Sequence, residues 1–231
     1  MARRQLLKDS NLSAQKPIMR IQQNVLAVQE RRLLNWLCRR LPTWVMPDHL
    51  TLLALIGAIV VFAGYAASTF NANWLWASVG GYLIQWFGDS LDGSLARYRA
   101  IERPRYGYFV DHSADALGVM FIVGGIGASP YVRFDVSLIA LAGYYLLAIH
   151  AFLSGRVIDE LKLSYVGAGP TELRIILIGL TVAMYVLGPS TSGNSFFNGF
   201  DLFVAAVGLI LITLFVAQTL AMARRLSRLS E

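Results

Sequence analysis

Six apolar stretches, each near the roughly 20 residues needed to cross the hydrocarbon core of a bilayer, leave this chain few folds to choose from. They run about 49–69, 74–97, 107–128, 134–153, 172–188 and 200–222. Breakers separate them: 71–73, Pro104, Pro130, 167–170 and 188–199. The expected fold is an all-α integral membrane protein with six transmembrane helices. Composition agrees, because only 15% of the 231 residues are charged, against about 25% in an average soluble domain. The first 48 residues hold no long apolar stretch. No secretory signal is therefore expected, and the first span is expected to direct insertion. The lone cysteine, Cys38, excludes an intrachain disulfide.

An even number of spans puts both termini on one side, and basic residues test which side that is. The N-terminal segment carries 9 Lys/Arg, the 97–106 loop 4, the 154–174 loop 3 and the C-terminal tail 3. Those four segments alternate onto the same side and sum to 19, while the opposite loops hold Arg133 alone. The split predicts cytoplasmic termini, in a bacterial inner membrane or an equivalent endomembrane.

Three regions follow. Residues 1–48 are expected to form a cytoplasmic segment, 49–222 the six-helix transmembrane domain, and 223–231 a cytoplasmic basic tail. Within the first, 19–41 reads as an amphipathic helix in the headgroup layer. Leu26, Val28, Leu33, Leu34, Trp36 and Leu37 interleave with Arg31, Arg32, Arg39 and Arg40.

Acids inside a membrane span are costly and usually functional. Four fall in two adjacent spans: Asp89 and Asp92, three apart, and Asp111 and Asp115, four apart. Each pair shares a helix face. The spans are consecutive and antiparallel. Counting the helical rise inward puts Asp111 and Asp115 about 6 and 12 Å below the cytoplasmic boundary, with Asp89 and Asp92 a few ångströms inside it, so that all four can meet in the cytoplasmic third of the membrane. Four carboxylates meeting there cannot all stay ionised without compensation. Two divalent cations, Mg²⁺ or Mn²⁺, would balance them and suit chemistry at phosphorus. The alternative is that the acids pair with Arg97, Arg99, Arg103 and Arg105 as topology glue. Small residues Gly88, Gly93, Ala96 and Gly107 surround the acids. They suit either close helix packing or close approach of a ligand.

Read together, the residues run Asp89-Ser-Leu-Asp92-Gly93-Ser-Leu-Ala96-Arg97, nine residues, then Gly107-Tyr-Phe-Val-Asp111-His-Ser-Ala-Asp115. This resembles the signature of the CDP-alcohol phosphotransferase family, D-x2-D-G-x2-A-R-x8/9-G-x3-D-x3-D, at all eight fixed positions. The resemblance implies that Asp89, Asp92 and Asp111 bind metal holding the donor diphosphate. It implies that Asp115 accepts the acceptor hydroxyl's proton and also touches metal. Gly93, Ala96, Arg97 and Gly107 would line the CDP pocket beside Asp89, and CMP would be released. A homodimer is also implied, with weak support from Gly124, Gly125 and Gly127. The partners expected are a CDP-alcohol donor, an alcohol acceptor and the bilayer, and no nucleic acid.

Other residues carry weaker signals. Pro47-Asp48-His49-Leu50-Thr51 resembles the family's Pro-Asn-x-x-Thr opening of the first span, with Asp48 in place of Asn. Thr51 is a candidate nucleotide contact or a helix cap. His112 is a candidate substrate or metal-supporting residue, and His150 reads as a core histidine. Lys162, Glu172 and Arg174 are candidates for a polar acceptor. Trp44, Trp74 and Trp76 read as interfacial anchors.

Two rivals use similar parts. An intramembrane prenyltransferase resembles two separated aspartate-rich motifs, and this chain has one cluster. A cation transporter would need relay acids in spans four to six, and their middles hold none. Within the resembled family, the short chain favours CDP-diacylglycerol as donor. The alternative is a CDP-aminoalcohol with diacylglycerol as acceptor.

Overall fold

The computed structural model describes residues 27–158, 170–189 and 197–229, and every described helix is α apart from one short 3-10 turn. Helix α1 spans Ala27–Arg40, α2 Pro47–Ala67, α3 Leu75–Tyr98, α4 Pro104–Ala128, α5 Phe134–Ile158, α6 Pro170–Leu187 and α7 Gly199–Leu229. The six helices α2 to α7 correspond to the six expected spans. Five of them are long and apolar enough to cross a membrane. The sixth, α3, has the length at 24 residues, but Asp89, Asp92 and Arg97 lower its hydropathy.

Several boundaries differ from the sequence reading. Helix α4 begins at Pro104 and not at 107, because proline's fixed φ and missing N–H suit a first helical turn. The link after α3 therefore shortens to 99–103, where Ala100 turns the chain at a φ of 54°. Helix α5 runs on to Ile158 and α7 to Leu229. The expected basic tail is thus mostly a continuation of the last helix. The first eight residues of the expected 19–41 helix lie outside the described residues.

Helices α2 and α3 cross at backbone contact. An added Cβ at Gly57 would lie 2.5 Å from the Gln85 N, and one at Gly81 would lie 2.8 Å from the Gly57 O. At Gly88 it would strike the Leu50 carbonyl and lie 2.5 Å from the Ala54 N. Small residues at such crossings gain dispersion contacts in a medium that offers no hydrophobic drive. Gly88→Ala should therefore force backbone apart and cost about 1–3 kcal/mol. A fall in the detergent-solubilised protein's Tm checks this, with Gly179→Ala, whose Cβ meets nothing within 4 Å, as control.

Deeper in the membrane, Tyr65 Oη shares hydrogen bonds with Thr181 Oγ1 at 2.6 Å and Tyr82 Oη at 3.3 Å, tying α2, α3 and α6. Helices α5 and α7 pack through Gly143 against Gly208. His150 bridges Ser154 and Thr219 through its two ring nitrogens, each at 3.1 Å, as a core histidine should. Gly125 sits on the Phe62 backbone, Gly127 on Ser137, and Gly124 beside the Phe62 ring. These glycines pack inside the chain, so they lend no support to a homodimer. Trp44, Trp74 and Trp76 are all more than half exposed, as interfacial anchors would be.

Helix α1 lies against α3 through buried Leu34 and Cys38, which join Val45, Leu50, Leu91 and Leu95. Its other faces expose Val28, Leu33 and Trp36 beside exposed arginines. The Arg99 guanidinium donates to the carbonyls of Leu41, Pro42, Thr43 and Val45. It latches the α1–α2 linker to the end of α3.

Candidate active site

One small cavity collects the acids. Asp89, Asp92, Asp111 and Asp115 line it with Thr51, Gln85 and Gly118. Three helices supply these groups: the start of α2, the last turns of α3 and the first half of α4. All lie toward the same end of the bundle, as the helical rise predicted.

Thr51 donates to the Asp92 carboxylate at 2.7 Å and to the Pro47 carbonyl at 3.3 Å. Its hydroxyl therefore orients an acid, while Met46 occupies the N-cap position of α2. Asp92 is buried and also accepts from the Gly93 N–H. Asp48, which stands where the resembled pattern has Asn, pairs with Arg103 at 2.6 Å and accepts from Tyr106. That pair straps the start of α2 to the start of α4.

Three arginines of the connection have partners other than the four acids. Arg97 donates to Ser94, Arg99 to the α1–α2 linker, and Arg103 to Asp48. A guanidinium that reaches the acids comes from α6, at Arg174. It donates to Asp89 through Nη2 and to Gln85 Oε1 through Nε. Arg174 Nη1 is buried, and among the described residues nothing accepts from it. Lys162 lies outside the described residues, and Glu172 sits partly buried in the first turn of α6.

Behind Asp115 stands His112. Its Nδ1 lies 3.8 Å from Asp115 Oδ2, and its ring packs against Tyr108 and Phe152. His112 Nε2 is buried and meets no partner among the described residues. Ligand atoms of Asp111, His112 and Asp115 all fall within 4.8 Å of one another. Hard carboxylate oxygens converging on one cavity fit Mg²⁺ or Mn²⁺, and one arginine cannot offset four such groups.

Gly93 and Gly107 stand apart from the packing glycines. A Cβ at Gly107 would meet nothing within 4 Å, and one at Gly93 would meet only the Arg97 side chain. Gln85 was missed in the sequence, although it lies four residues before Asp89 on the same face and is buried.

These features define an acidic site, lined by four aspartates, toward one end of a bundle of membrane-length helices. The sequence model of the family described as CDP-alcohol phosphatidyltransferase matches residues 44–223. The chain belongs to that family. It is 29% identical over 161 residues to "Cholinephosphotransferase 1" of Danio rerio, covering 64% of this chain and 41% of that protein. Against "Cholinephosphotransferase 1" of Gallus gallus it is 25% identical over 181 residues, covering 66% and 53%. The chain thus spans about half the length of these curated relatives.

Proposed function

We propose that the protein transfers a substituted phosphate from a CDP-alcohol to the hydroxyl of a second alcohol, releasing CMP. The observation that carries this reading is the single cavity lined by all four signature aspartates. Asp89, Asp92 and Asp111 would hold divalent metal, which neutralises the diphosphate and its leaving oxygen. Thr51 keeps Asp92 in place. Asp115, steadied by His112, takes the proton from the acceptor hydroxyl as its oxygen bonds to the donor phosphorus. The bond from that phosphorus to the CMP oxygen breaks, and CMP carries the electron pair away. Arg174 Nη1 offers an unused donor to a phosphate oxygen. Gly93, Ala96, Arg97 and Gly107 would line the space for the cytidine, a reading supported by the open surroundings of Gly107.

The names of the two relatives favour a CDP-aminoalcohol donor with diacylglycerol as acceptor. CDP-diacylglycerol, favoured by chain length alone, is the second reading. The test measures CMP release from labelled CDP-choline, CDP-ethanolamine and CDP-diacylglycerol, each against a panel of acceptors. Release from none of them sinks the proposal.

The basic asymmetry supports a site and termini on the cytoplasmic side. Cysteines at Phe70 and Ser227 should then label from opposite sides of the membrane. Cys38 will not confuse the result, because it is buried and burial pushes its thiol up from the usual range. Labelling from the same side would refute the span count. The homodimer remains part of the proposal, and mass measurement in mild detergent decides it.

A further inference from the structure

Three hydrogen bonds converge on one carboxylate oxygen of the outlying helix α1. Glu30 Oε1 accepts from Trp86 Nε1 at 3.0 Å, Ser90 Oγ at 3.4 Å and Thr171 Oγ1 at 2.6 Å. The donors come from two membrane spans. Trp86 and Ser90 lie one turn apart on α3, on either side of Asp89 in sequence. Thr171 sits in the first turn of α6, three residues before Arg174, and so shares a helix face with it. Glu30 therefore bridges α3 at the turn that carries Asp89 and α6 one turn before Arg174.

At the start of α6 this tie stands beside the Arg174 contacts to Gln85 and Asp89. The first two turns of α6 expose Leu173, Ile175 and Ile176, and the buried hydroxyl link at Thr181 lies about 15 Å beyond Thr171 along the helix. A carboxylate suits the junction because one oxygen offers two lone pairs and its charge strengthens each bond.

We propose that Glu30 is a positioning residue for the transfer reaction. By clamping the first turn of α6 to α3, it sets where the Arg174 guanidinium lies over Asp89 and how its free Nη1 meets the donor phosphate. This rests on the phosphate-binding reading of Arg174. It makes α1 a structural support of the active site as well as a surface helix. The plainer reading is that Glu30 only glues α1 to α3 through Trp86 and Ser90. Under that reading the α6 arm is idle.

Kinetics of CMP release by the full chain in lipid nanodiscs separate the two. Whichever of CDP-choline and CDP-diacylglycerol the wild type uses serves as probe. Glu30→Ala and Thr171→Ala should each raise the donor KM about tenfold, equivalent to about 1.4 kcal/mol, with kcat changed less than about threefold. Glu30→Gln and Thr171→Ser keep the acceptor and the donor, and should restore KM to within about threefold of wild type. Adding Glu30→Ala to Arg174→Gln should cost little more than Arg174→Gln alone, because the two act through one contact. A normal KM for Thr171→Ala, or fully multiplicative effects in the double variant, overturns the proposal. Spin labels at exposed Val28 and Leu173 report the clamp without activity. Glu30→Ala should lengthen and broaden their distance distribution. An unchanged distribution overturns the clamp, even if wild type turns over neither donor and the functional reading fails by itself.

Discussion

Asp115→Asn is expected to abolish turnover while sparing most donor affinity, and Asp111→Asn to lose both. Asparagine is nearly isosteric with aspartate but carries no charge and accepts no proton at neutral pH. If Asp115 is the base, its loss costs about 10²–10⁴ in rate. Asp111 lies one turn earlier on α4 and lines the same cavity. If it ligates metal, its loss costs at least as much, through lost charge stabilisation at the diphosphate. Equilibrium CDP-alcohol affinity at saturating Mg²⁺, measured beside turnover, separates the roles. Equal loss of donor affinity in both variants would make Asp115 chiefly a metal ligand. The base would then be sought at His112, which stands 3.8 Å away. Near-normal turnover by Asp115→Asn would refute the mechanism.

Chelation should remove activity completely, and Mg²⁺ or Mn²⁺ should bring it back. Four carboxylates lining one cavity repel one another, and the Arg174 guanidinium reaches Asp89. A ligand that binds only the folded protein also stabilises it, by about 2.7 kcal/mol at a hundredfold excess over Kd. Mg²⁺ should therefore raise Tm as well as restore CMP release, and Asp111→Asn should blunt that rise. Full activity in excess EDTA would sink the metal-dependent reading.

Much of this was legible in the sequence because hydropathy and helical spacing are local properties. Apolar runs gave the spans, and intervals of three and four residues put each acid pair on one face. The signature spans only the α3–α4 hairpin, so everything it encodes lies on adjacent elements. Helix ends were read less well. Pro104 signals a break, yet it opens α4, and the polar residues after 222 favour helix as readily as coil. Among the supports of the site, Thr51 and Arg174 stood out as candidates, but their partners did not, and Glu30 gave no signal. Thr51 reaches Asp92 across 41 residues, Arg174 reaches Asp89 across 85, and Glu30 reaches Thr171 across 141. No spacing rule links positions so far apart. Only the packing of α1, α2 and α6 around α3 brings them together.

The cavity lies toward one end of the bundle, and this has a consequence for the bilayer. In the proposed reaction the diacyl chains are already in the bilayer, and each turnover changes only the headgroup they carry. A headgroup attached at that depth faces the side of the membrane nearest the site. Headgroup composition set by such a site would be lopsided at its source. The two monolayers would then match only if lipid crossed to the far side at a rate comparable to synthesis.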